Sequence, residues 1–129
     1  MLSCLDGATG EVVWQNRDVD RTLSEATICD GLLYLPDYSG KLHCIDADTG
    51  ETVWQHDLGG GVWCASATVA DDRIYVGTEK MAFWVLKTGR KKEIVAKGRT
   101  RSMPITMAAA EGVLYLPTQR RIFAVAAGD

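Results

Sequence analysis

No stretch of the 129-residue chain holds about 18 apolar residues in succession, so a membrane-spanning helix is not expected. A charged segment leading into an apolar run, the mark of an export signal, is missing from the N-terminus as well. The four cysteines (Cys4, Cys29, Cys44 and Cys64) show neither CxxC spacing nor an adjacent pair, which removes the haem-attachment and common zinc patterns. An excess of positive charge is lacking too. The formal net charge is −3, and nothing general attracts the chain to nucleic acid or an anionic membrane. Helical periodicity is absent throughout. What remains, with 47% hydrophobic and 24% charged residues, is a globular composition.

Self-similarity is what the chain does have. Leu-Ser-Cys-Leu-Asp-Gly-Ala-Thr-Gly-Glu-Val-Val-Trp-Gln, residues 2–15, returns 40 residues later as Leu-His-Cys-Ile-Asp-Ala-Asp-Thr-Gly-Glu-Thr-Val-Trp-Gln, with nine of fourteen positions identical. A fixed period near 40 residues points to stacked units, none of which can bury its apolar face alone. Cys4 and Cys44 fall on equivalent predicted strands and read as small buried hydrophobes.

A second signal keeps the same period. Ile28 to Pro36, Val69 to Gly77 and Ala109 to Pro117 each read as a short apolar strand, an acidic or glycine turn, and a strand carrying Tyr34, Tyr75 or Tyr115. With the strands and turns that follow, each period holds four short antiparallel strands, which is one propeller blade. The expected fold is all-β: a partial β-propeller of about three four-stranded blades plus flanking strands. The expected divisions are strands of an incomplete blade at 2–15, blades at 25–56 and 64–97, and an incomplete blade at 104–126. The third repeat, Val85 to Glu93, has lost the motif's Asp and Trp. Met1 stands directly before a motif already in progress, so the chain is expected to be an arc of a longer propeller.

The repeated Asp-x-x-Thr-Gly-Glu-x-x-Trp element has a structural logic. Asp6 and Asp46 can accept hydrogen bonds from backbone N–H groups of the turns they open. Gly10 and Gly50 supply the positive φ such turns need. Trp14 and Trp54, on the outer strand, can wedge between blades with the indole N–H on a carbonyl. A calcium loop is a poor reading, because no downstream bidentate Glu follows Asp46 to Gly50.

This element resembles the tryptophan-docking motif of the quinoprotein, or PQQ-type, β-propeller repeat, roughly Ala-x-Asp-x-x-Thr-Gly-x-x-x-Trp. Further likeness is to the C-terminal blades of bacterial PQQ-binding-like repeat proteins, through Gly60 to Cys64, Val85 to Glu93 and Gln119 to Val125. The resemblance implies a propeller of about seven or eight blades when intact. Relatives of this repeat family are often periplasmic or exported. It also implies two functional classes. One is a non-enzymatic scaffold or ligand-binding module, for which the scaffold lipoprotein of the outer-membrane β-barrel assembly machine is a precedent. The alternative is part of a PQQ-dependent alcohol or sugar dehydrogenase, with calcium and the quinone as cofactors. Those dehydrogenases carry an adjacent Cys-Cys pair, calcium-ligating Glu and Asn, a stacking Trp and an Asp base, and only Trp63 offers a counterpart. No catalytic, cofactor-binding or metal-ligating residue is assigned, and the expected activity is binding rather than catalysis.

Loops leading into the inner strands are the candidate binding surface. Repeat alignment puts Thr22, Trp63 and Met103 at equivalent positions on one rim, with Glu25, Ser66 and Thr106 three residues further in. Gly59-Gly-Gly61 frees the backbone beside Trp63, and Arg99 and Arg101 approach from the next blade. Between Lys87 and Arg101 seven Lys or Arg stand against one acid, a local +6 that leaves −9 elsewhere, and such a run reads first as a solvated face. The expected partner is a protein or small-molecule ligand. A second copy of the chain is a further candidate: two outer strands at one end and three inner strands at the other could join head to tail into a ring of about six blades.

Overall fold

The computed structural model describes residues 1–63 and 65–126; Cys64 and residues 127–129 lie outside it. Among the described residues every regular element is a strand. The strands are β1 (Leu2–Leu5), β2 (Val12–Asn16), β3 (Thr27–Cys29), β4 (Leu32–Pro36), β5 (Lys41–Asp46), β6 (Thr52–Asp57) and β7 (Thr68–Ala70). They continue with β8 (Arg73–Gly77), β9 (Ala82–Lys87), β10 (Ile94–Arg99), β11 (Ala108–Ala110), β12 (Val113–Pro117) and β13 (Ile122–Ala126). They form four antiparallel meanders, β1-β2, β3-β4-β5-β6, β7-β8-β9-β10 and β11-β12-β13. The architecture is a partial β-propeller, and the sheets are called blades one to four below.

Turn chemistry sets the meander. Asp30 and Glu111 adopt φ of 49° and 50°, and the glycines that follow them are also positive, the two-residue geometry that matches strand twist. In the longer turn between the last two strands, Asp6 Oδ1 accepts from the backbone N–H of Ala8 and Thr9, both at 2.8 Å. Asp46 Oδ1 does the same for Asp48 and Thr49. The backbone closes the turn independently: Asp6, Asp46 and Lys87 donate their N–H groups to the carbonyls of Glu11, Glu51 and Glu93 at 2.8, 2.9 and 2.9 Å. The third copy therefore keeps the turn while Lys87 stands where the others have Asp.

Apolar residues alternate along the strands and fill the spaces between blades. The larger core joins Tyr34, Leu42, Cys44 and Trp54 of blade two to Ile74, Val76, Trp84 and Leu86 of blade three. A smaller one joins Leu33, Leu35 and Ile45 of blade two to Leu2 and Trp14 of blade one, with Val19. Cys44 is fully buried, whereas its repeat equivalent Cys4 is half-buried beside the two-stranded sheet. Burial pushes the Cys44 thiol up to about 12, so it packs as an inert apolar group.

The first strands of successive blades are tied by hydroxyl groups. Thr27 Oγ1 donates to the Ala67 carbonyl at 2.6 Å, and Thr68 Oγ1 donates to that of Met107 at 2.5 Å. In the same direction, but with the backbone donating and the hydroxyl accepting, the Glu25 N–H donates to Ser66 Oγ and the Ser66 N–H to Thr106 Oγ1, both at 2.9 Å.

Candidate functional site

The motif residues sit where blades meet. Trp14 Nε1 donates to the Ala47 carbonyl of blade two, and Trp54 Nε1 to the Gly89 carbonyl of blade three, each at 2.9 Å. Gly50 carries φ of +76°, and a Cβ there would lie 2.5 Å from the Trp14 ring. Gly10 has the same φ with nothing within 4 Å, since no blade precedes it in the structure. Asn16 adds a bond to the Gly50 carbonyl at 2.8 Å, and the Tyr34 hydroxyl accepts the Gly89 N–H at 2.8 Å. Burial pushes the Tyr34 phenol upward in pKa. Asp46, besides its turn bonds, pairs with Arg90 of blade three at 2.9 Å, and that hydrogen bond, with those from the turn, holds its carboxyl below the usual range.

In the loop between β6 and β7, Trp63 is 45% exposed. Its ring stands edge-on to Tyr38, with centroids 5.2 Å apart, and the Arg21 guanidinium lies 4.7 Å from the Tyr38 centroid. The result is an Arg21–Tyr38–Trp63 stack built from two blades. Gly61 permits it, because a Cβ there would lie 2.6 Å from the Tyr38 carbonyl oxygen. The sequence reading found Trp63 but not its neighbours, which come from loops outside the repeated motif.

The other sequence candidates are dispersed. Glu25 is exposed and engaged through its backbone N–H, and the half-buried Met103 accepts the Gln119 N–H through its carbonyl. Arg99 and Arg101 meet Arg121 in a separate cleft between blades three and four, lined by Phe83, Leu116, Phe123 and Val125. Much of the basic strip is solvated, as β10 is exposed except at Gly98. Two of its cations nevertheless have partners: Lys97 Nζ lies 4.5 Å from the centroid of Trp84, opposite it in the same blade, and Lys92 Nζ donates to the Gln55 carbonyl of blade two.

A buried polar network in blade two was not legible beforehand. Asp37 and His43 are both 0% exposed, and His43 Nε2 lies 2.6 Å from Asp37 Oδ2, with Gln55 Nε2 at 3.1 Å from Nδ1. Burial pushes the Asp37 carboxyl up. Hydrogen bonds from His43, Ser39 and the backbone of Lys41 and Asp20 outweigh it and leave the group below the usual carboxylate range. Seclusion from solvent makes this a structural staple of the turn between β4 and β5. His56, by contrast, packs edge-on against Trp84 at 4.5 Å, and burial with nearby Lys92 and Lys97 lowers its pKa.

The family described as outer membrane protein assembly factor BamB matches residues 1–128. The chain belongs to that family. Among solved structures it is similar to BamB from Moraxella catarrhalis, with a TM-score of 0.73 and 22% identity, over 88% of this chain and 36% of that one. It is also similar to the quinohemoprotein alcohol dehydrogenase ADHIIG from Pseudomonas putida HK5, with a TM-score of 0.66 and 15% identity, over 77% of this chain and 17% of that one. The chain therefore spans about a third of the BamB structure and about a sixth of the dehydrogenase. Both neighbours are built from PQQ-type β-propeller repeats, and at these identities the likeness establishes the fold. No curated protein sequence matches the chain.

A calcium-held quinone needs converging acids. Among the described residues no three His, Cys, Asp or Glu side chains are grouped so as to hold a metal ion, and the chain has no adjacent cysteines. The described residues do not fit that cofactor.

Proposed function

We propose that the chain is a binding module of a longer propeller, whose repeat motif holds blades together while the rim contacts a protein partner. The Arg21–Tyr38–Trp63 stack carries the reading. Trp, Tyr and Arg are the residue types that dominate interface energetics, and here they are pre-stacked on a rigid scaffold at 4.7 and 5.2 Å. Membership of the BamB family supports a partner involved in assembly rather than a substrate. The hydrogen bonds from Trp14 and Trp54 support a docking role for Asp6, Gly10, Trp14, Asp46, Gly50 and Trp54, since these groups are committed to turns and blade contacts.

Self-association is the finer reading of the end blades. Leu5, Val12 and Val13 at one end and Ile122 at the other are each more than half exposed, which favours burial against another surface. The alternative reading, a segment of a quinone-dependent dehydrogenase, draws on the fold likeness to ADHIIG.

The rim reading is tested by placing a photo-crosslinking amino acid at position 63 of the full chain in the producing cell, with position 72, exposed in the turn between β7 and β8, as control. A discrete protein adduct at 63, lost on Tyr38→Ala, is expected. Adducts of equal yield at both positions would overturn the rim as the binding surface.

A further inference from the structure

The junction between blades three and four differs from the junction between blades two and three in a way that opens a site. Strand register gives the equivalences. Cys44 faces Trp54 across β5-β6, and Val85 faces Ala96 across β9-β10; Leu42 faces His56, and Phe83 faces Gly98. Val76 pairs with Trp84, and Leu116 with Phe123. The first junction is thus filled by Trp54, His56 and Trp84, all at most 9% exposed. The second presents Ala96, Gly98 and Phe123 at the corresponding positions. Three bulky or ring-bearing groups become a methyl group, a hydrogen and a phenyl.

The lost volume is only partly recovered. Phe83 lies over Gly98, where a Cβ would come within 2.2 Å of its ring, and Phe123 stays 41% exposed. A cleft of about 390 Å³ remains, with Phe83, Leu116, Phe123 and Val125 as its apolar wall. That is within the usual size of small-molecule sites. Charge changes in step with volume. Lys41 pairs with Asp57 across β5-β6, whereas Ala82 pairs with Arg99 across β9-β10, so a cation occupies the position where blade two has an acid. Arg101 and Arg121 join Arg99 at the same cleft, and no carboxylate lines it. Among the described residues none of these three guanidinium groups forms an ion pair. Three like charges beside an apolar wall repel one another, and a bound anion removes that repulsion. Guanidinium groups match a carboxylate through paired N–H···O bonds.

We propose that this cleft binds a small amphipathic carboxylate, its apolar body against Phe83, Leu116, Phe123 and Val125 and its head among Arg99, Arg101 and Arg121. The site is separate from the rim stack, so its failure leaves the rim reading untouched.

Decanoate, titrated calorimetrically into the full chain below its aggregation concentration, tests this. Saturable binding at one site is expected, with neutral decanol binding more weakly by on the order of tenfold. Two variants localise it: Arg99→Gln with Arg121→Gln removes charge at the mouth, and Val125→Phe fills the floor. Each is expected to weaken decanoate binding by at least about tenfold while the far-UV circular dichroism of the free protein is unchanged. Val125 is half exposed, which makes its replacement compatible with folding. No saturable decanoate binding, equal binding of decanol, or binding unaffected by both variants would overturn the proposal.

Discussion

Gly50 shows how much one residue carries at a blade junction. Its φ of +76° already disfavours any side chain, and the Trp14 ring occupies the space that a Cβ would take. Gly50→Ala is therefore expected to lower stability by more than about 1 kcal/mol in urea unfolding. The same change at Gly10, with equal φ and open space, is expected to cost less. Titrating residues make a second prediction at this scale. Native His56 has a lowered pKa, so the unfolded chain takes up its proton first, near the ordinary value of 6.5. Its contribution is complete above that value and is lost as pH falls through the native one. Asp37, also lowered, adds a further loss below its ordinary value of 3.8. Urea midpoints followed from pH 8 to 3 should fall in two stages, and His56→Leu should flatten the upper one.

At the scale of the element, the outer strand decides how firmly one blade meets the next. In β6, Trp54 packs on Tyr34 with centroids 6.1 Å apart and reaches the Gly89 carbonyl. Trp54→Phe keeps an aromatic but removes the donor, and a loss of about 1–3 kcal/mol in unfolding free energy is expected. Strand order and turns were legible in the sequence because Asp-Gly signals and the 40-residue repeat mark them directly. The missing Trp of the third copy was legible too. Its consequence was not, because the Arg99–Arg101–Arg121 cleft depends on which faces of β9, β10, β12 and β13 oppose each other. Arg21 and Tyr38 escaped notice for a related reason: they meet Trp63 through loops whose course no periodicity describes. The Asp37–His43 pair lies six residues apart across a turn, and no repeat or motif marks two polar residues as buried there.

For the whole molecule, shape follows from repetition. Each blade covers one face of the next, and the end blades keep exposed apolar residues: Leu5, Val12 and Val13 at one, Ile122 at the other. Sedimentation velocity should therefore show concentration-dependent dimers, reduced by Val13→Asp with Ile122→Asp. A single well-folded monomer at all concentrations would contradict ring closure by a second copy. The repeated Asp-x-x-Thr-Gly-Glu-x-x-Trp segments join blades, and the function proposed above is binding rather than quinone chemistry. Titration of the full chain with pyrroloquinoline quinone and Ca²⁺, followed by absorbance, tests that claim most directly. No saturable spectral change is predicted, and a saturable change reversed by chelating the calcium would contradict it.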